Sequence, residues 1–208
     1  MAVTRATTDR GAALLLALVA TALLGALGVS LLMLADTELR VASNDGSSLE
    51  AFYAADAALE RAVQELATLP EWSSVLTGVV KSSFSEPTTN PVLPSKRSLD
   101  LLTLTAALQV SSNAGGSQGA NTPVWRLFAW GPLAALASSG WIENRVYLAV
   151  WIADDPSETD GNPGADTNGV VFVHAEAFGM AGARRVVEAT VARASAGIVR
   201  ELSWKEVR

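Results

Sequence analysis

Cysteine is missing from this 208-residue chain. Its absence removes disulfides, thiol nucleophiles and Cys-ligated zinc. Histidine occurs once, as His174, which leaves little material for a transition-metal site or a His-based acid–base pair. No Gly-x-Ser-x-Gly elbow accompanies it, so His174 reads as a surface or half-buried strand residue and no catalysed reaction is expected. Positive charge is scarce as well. Fifteen Lys and Arg face 21 Asp and Glu, a formal net charge of −6, and the bases are scattered in pairs such as Arg184–Arg185. Nucleic-acid binding needs clustered cations against phosphate, and that partner class is set aside. Proline is absent before Pro70, so nothing in the first third of the chain forbids a long helix.

What the chain does have is one long apolar run. No charge occurs between Arg10 and Asp36, and Thr21 and Ser30 are the only polar side chains from Gly11 to Ala35. Ala12 to Ala35 as a helix would measure about 36 Å at 1.5 Å per residue, enough for a hydrocarbon core of about 30 Å. The apolar core of a signal peptide is shorter, and Met33-Leu34-Ala35 is a poor cleavage site. Arg5 and Arg10 against Asp9 favour a cytoplasmic N-terminus with the following chain across the membrane. Ala13, Ala17, Thr21 and Gly25 step by four, as do Ala22, Ala26 and Ser30, and small residues at that spacing let helices approach closely in lipid.

The helical pattern continues. Leu49, Phe52, Asp56, Leu59, Val63 and Leu66 follow steps of three and four, interrupted once by Asp56, among strong helix formers. Ser43-Asn44-Asp45-Gly46-Ser47-Ser48 is the weak point, where a kink or local unwinding is expected. Pro70 ends the helix. Residues 70–98 read as linker and loop, and Trp72 as the cap of the junction. Residues 99–110 fit a strand or a short helix equally well. Ser111–Thr122, with Gly115, Gly116 and Gly119, reads as a loop.

Strands follow. They are expected at Val124–Trp130, Arg145–Ile152, Val170–Phe178 and Arg184–Arg193, the last two joined by the turn Gly179–Ala183. The second puts Val146, Leu148, Val150 and Ile152 on one face and Tyr147, Ala149 and Trp151 on the other. Short turns imply an antiparallel sheet. The expected fold class is therefore α+β: a long N-terminal hydrophobic helix followed by an antiparallel sheet head packed on its C-terminal half. The six tryptophans (Trp72, Trp125, Trp130, Trp141, Trp151, Trp204) read as core and junction packing.

Between two of these strands lies Asp154–Gly169, with five acids and no base. Asp155, Asp160, Asn162, Asp166 and Asn168 are candidate oxygen ligands for Ca²⁺, a hard cation that takes carboxylate and amide oxygens. The spacing is not that of an EF-hand, and a solvated acidic turn accounts for the same residues.

Three blocks together carry a resemblance: Asp9-Arg-Gly-Ala-Ala-Leu-Leu-Leu-Ala-Leu18, Thr37-Glu-Leu-Arg-Val-Ala-Ser-Asn44, and Ala51-Phe-Tyr-Ala-Ala-Asp-Ala-Ala-Leu-Glu60. Arg10-Gly11 before an apolar helix resembles the processing site of type IV prepilin-like proteins. The first 65 or so residues resemble the PilX-type minor pilins. The resemblance implies a leader at residues 1–11, cut by a prepilin peptidase between Gly11 and Ala12. It implies a membrane and filament-core segment at residues 12–35, a soluble helical half at residues 36–69 and a head at residues 70–208. It implies insertion in the inner membrane with the head periplasmic, then passage to a pilus at the cell surface, with other pilins as partners through Ala13, Leu16, Ala17, Thr21 and Gly25. Leu16 departs from the major-pilin pattern, which has glutamate at that fifth mature position. In the family picture this glutamate pairs with a neighbour's N-terminal amine, so its absence suits a tip or assembly-initiating subunit. A type II secretion pseudopilin and an uncleaved, single-pass anchored binding protein are the alternatives.

Overall fold

The computed structural model describes residues 6–115, 119, 121–136, 145–195 and 197–207. Trp141 and Gly116 lie outside them, as does the start of the expected leader. Helix α1 is Ala6–Thr68. The chain divides into two compact units between Asp45 and Gly46, each taken by itself below.

The first unit is the apolar part of α1. Its side chains from Gly11 to Asp45 are exposed, and it is long and apolar enough to cross a membrane. Its few hydroxyls are satisfied on the helix itself: Thr21 Oγ1 donates to the Leu18 carbonyl at 2.9 Å and Ser30 Oγ to Ala26 at 2.8 Å. Such back-bonding leaves no donor stranded in a medium that offers no water.

The second unit is an α+β head. Its five-stranded antiparallel sheet runs in sequence order β1-β2-β3-β4-β5. The strands are β1 Arg126–Pro132, β2 Tyr147–Asp154, β3 Val170–Phe178, β4 Arg184–Ser195 and β5 Ile198–Val207. The alternation read in β2 holds on both faces. Val146, Leu148, Val150 and Ile152 enter one core cluster, while Tyr147, Ala149 and Trp151 enter the other.

The last turns of α1 cover the first face. The buried helix residues there are Ala51, Ala54, Ala55, Ala58, Leu59, Ala62 and Leu66. This corrects the expected stripe: Leu49 is 55% exposed, and alanine forms most of the contact. These small side chains share one core cluster with Val, Leu and Ile of the sheet face, so the core needs no bulk from the helix.

A second helix, α3 at Leu101–Ala114, covers the opposite face and settles the ambiguity at residues 99–110. The Asp100 side chain caps it by accepting from the Leu102 and Thr103 backbone N–H groups, satisfying donors that the first turn leaves open. Leu101 is buried, and Leu104 and Leu108 pack on Trp130, Tyr147, Trp151 and Phe178. Between α1 and α3 lies a single short turn of helix, α2, at Ser73–Leu76.

The polar stretch Ser43–Ser48 stays helical, so the local unwinding expected there does not occur. Its end is a docking segment. Ser47 is buried, and Ser48 Oγ accepts from Arg185 Nε at 2.8 Å. Gly179, at the end of β3, has to approach this part of the helix closely. A Cβ there would stand 3.5 Å from the Ser47 carbonyl and 3.3 Å from Ala183 Cβ.

Trp72 is fully buried. Its Nε1 donates to the Leu66 carbonyl at 2.9 Å, an acceptor in the last turn of α1 that also takes the Leu69 N–H at 3.2 Å. Trp125, Trp130 and Trp151 are core residues, while Trp204 is 41% exposed.

Candidate functional site

The expected helix-packing residues Ala13, Leu16, Ala17, Thr21 and Gly25 all lie on α1 and are all exposed. A Cβ on Gly25 would meet nothing within 4 Å, so this row is open to another helix. Gly11 and Ala12 lie within α1 and are exposed.

The acidic loop runs from the last residue of β2 to the start of β3. Most of the residues singled out for Ca²⁺ serve the loop's own backbone. Asp160 Oδ1 accepts from Asn162 N at 3.0 Å, Asn162 Oδ1 from Gly164 N at 3.2 Å, and Asn168 Oδ1 from Val170 N at 2.7 Å. Asp155 Oδ2 accepts from Ser157 N at 2.8 Å and Oδ1 from Asn168 Nδ2 at 2.6 Å. Four of these contacts span two residues in Asn- and Asp-rich chain, the side-chain turn that these residue types favour. The alternating Asp and Asn that suggested ligands thus reflect turn chemistry.

Asp166 is different. It shares a cluster with Asp154 and Glu158 whose ligand atoms all lie within 4.8 Å of one another. Asp154 is fully buried and Glu158 is 3% exposed. One side of each carboxylate is fixed by the protein. Asp154 Oδ1 accepts from Asp155 N at 3.0 Å, and Oδ2 from Asn121 Nδ2 at 2.8 Å. Glu158 Oε1 accepts from Thr167 N and Asn168 N, both at 2.7 Å. Asp166 Oδ1 accepts from Gly169 N at 2.7 Å. Glu158 Oε2 and Asn121 Oδ1 are enclosed with no donor among the described residues. Burial pushes the Asp154 carboxyl up to about 7, with the charges of Glu158, Asp155 and Asp166 adding to it. The same loop is held from outside at Gly119, where a Cβ would collide with the Pro156 carbonyl. Sequence reasoning named Asp166 and missed Asp154, Glu158 and Asn121. The ends of a loop meet in space, which linear spacing does not reveal.

His174 also departs from its expected place. It is 6% exposed, on the sheet face that α3 covers. In the strand register it stands opposite Trp151 on β2 and Glu188 on β4, and Glu188 stands opposite Lys205 on β5. Its Nδ1 lies 2.9 Å from Glu188 Oε1, and its ring meets Trp125 and Trp151 edge to face at 5.7 and 5.6 Å. Its Nε2 is 3.9 Å from Glu176 Oε2, and Glu176 in turn is paired with Arg184. Burial works to lower the imidazole's pKa, but Glu176 and Glu188 outweigh it and the net shift is upward. Glu188 is held down to about 2, chiefly by its hydrogen bond to His174.

Comparison with known proteins finds no matching family model, no similar curated protein and no similar solved structure.

Proposed function

We propose that this protein is a membrane-anchored structural subunit of the pilin-like kind: a minor pilin processed between Gly11 and Ala12, acting at or near the tip of a type IV pilus or in its initiation. One observation carries the reading. The apolar part of α1 is exposed throughout, while the continuation of the same helix supplies the alanine face of the head's core. An exposed apolar helix of this length calls for lipid or other helices around it. Head-to-tail stacking of such helices gives an open filament and not a closed ring.

Leu16 supports a tip or initiating position within this reading. A carboxylate at that depth needs a partner, and a subunit with nothing ahead of it has none to offer. The residues at work are then Ala13, Leu16, Ala17, Thr21 and Gly25 for helix contacts, with the inner membrane, a prepilin peptidase and other pilins as partners. Co-expression with and without a prepilin peptidase tests the proposal. Loss of the leader only when the peptidase is present is the expected result. An unchanged chain in both cells would favour the uncleaved anchored protein.

A further inference from the structure

We infer that Asp154, Glu158 and Asp166 form a binding site for one divalent cation of the Ca²⁺ type, bordered by the amide of Asn121. This does not rest on the pilin-like reading and holds whether or not the chain is processed.

Two independent observations carry it. The first is convergence. Oxygens bound to one Ca²⁺ at about 2.3–2.6 Å stand at most about 5 Å apart, and the ligand atoms of the three carboxylates fall within 4.8 Å of one another. The second is an enclosed oxygen with nothing to bind. Glu158 is 3% exposed, and among the described residues its Oε2 has no donor although Oε1 has two. A buried carboxylate oxygen without a partner is costly, and a cation removes that cost. Asn121 Oδ1 is a second enclosed oxygen without a donor, on the side chain whose amide nitrogen binds Asp154. It offers the neutral type of ligand that Ca²⁺ accepts alongside carboxylates.

Arg193 is a cation that acts favourably on Asp166; its Nη1 is committed to the carbonyls of Leu69 and Pro70 at 2.8 and 3.0 Å, and its enclosed Nη2 has no hydrogen-bond partner among the described residues. The backbone donors that fix Glu158 and Asp166 come from Thr167, Asn168 and Gly169. The ion would therefore tie the β2 end of the loop to its β3 end.

The test uses the full chain in neutral-detergent micelles, stripped with EDTA and titrated with CaCl₂ by calorimetry. One ion per chain is expected, with a Kd below about 1 mM and a higher melting temperature for the head. Glu158→Gln and Asp166→Asn should each weaken binding at least about tenfold, because each removes a charge from the cluster. Glu60→Gln, which removes an exposed carboxylate on α1, should bind like wild type. Should Glu158→Gln lose the near-UV signal of a packed head, Asp166→Asn, at a half-buried position, decides alone. No heat and no melting shift in the wild type would overturn the inference. So would undiminished binding in Asp166→Asn, or a loss in Glu60→Gln as large as that in Asp166→Asn.

Discussion

Trp204 Nε1 donates to Asp56 Oδ1 at 3.1 Å, joining the last strand to α1. Asp56 is the polar residue that interrupts the helix's apolar pattern, and this contact gives it a role. The Trp204 ring also meets Phe52 edge to face at 6.1 Å. Asp56→Ala should lower the stability of the head by about 0.5–1 kcal/mol, the range of a partly exposed hydrogen bond. Trp204→Ala should cost more, since it also removes the aromatic contact. Thermal melts followed by near-UV circular dichroism check both, and equal effects from the two would contradict the ring's share.

The His174–Glu188 pair makes stability depend on pH in two directions. His174 is raised above 6.5, so its contribution is complete below 6.5 and fades as pH rises through the folded value. Glu188 is lowered from 4.5 to about 2, so its contribution is complete above 4.5 and fades as pH falls toward 2. Glu176, Arg184 and Lys205 are the other charged groups at the cluster, and α3 brings no titratable side chain to it. The stability advantage of wild type over His174→Gln should be greatest between about pH 4.5 and 6.5 and shrink on either side. Melting curves for both proteins from pH 3 to 9 measure it, and a constant difference across that range would contradict the account.

Arg193 ties β4 to the end of α1. Its guanidinium lies 4.6 Å from the Trp72 ring centroid, and Nη1 donates to the carbonyls of Leu69 and Pro70. Arg193→Ala should destabilise the head by about 2 kcal/mol, since it leaves those carbonyls unpaired and removes a cation–π contact. Arg193→Lys should recover less than half of that, because an ammonium cannot both stack and reach two acceptors. Denaturant titration of the three proteins gives the ranking.

A chain with no cysteine makes the helix-packing proposal simple to examine. Single cysteines at Ala13, Ala17, Thr21 and Gly25 should cross-link to a partner helix in membranes. Absence of cross-linking at all four positions would contradict a helix-packing role for this row.

Much of this fold was legible because its signals are local. The apolar run of α1 and the alternation in β2 announce themselves, and β3 falls at its expected bounds. Strand β5 escaped notice for a physical reason. Its register shifts between Glu201, opposite Val191, and Ser203, opposite Thr190, so the residues facing α1 change parity along the strand and no period of two survives. In α3 the run from Leu101 to Val110 is apolar at both periods. The signal that decides it is Asp100 with Thr103, whose hydroxyl returns a hydrogen bond to the capping carboxylate at 2.7 Å. The buried face of α1 was misjudged because alanine was counted as a helix former and not as a core residue. The acidic cluster depends on how a loop closes, and His174 on which face α3 covers. Neither is written in spacing along the chain.

The central claim, a processed pilin-like subunit, is tested most directly by intact-mass and N-terminal peptide analysis of the protein from membranes of cells with a prepilin peptidase. The account expects a chain beginning at Ala12, with a methylated amine. A chain that retains Met1, or one cut near Ala35, would contradict it.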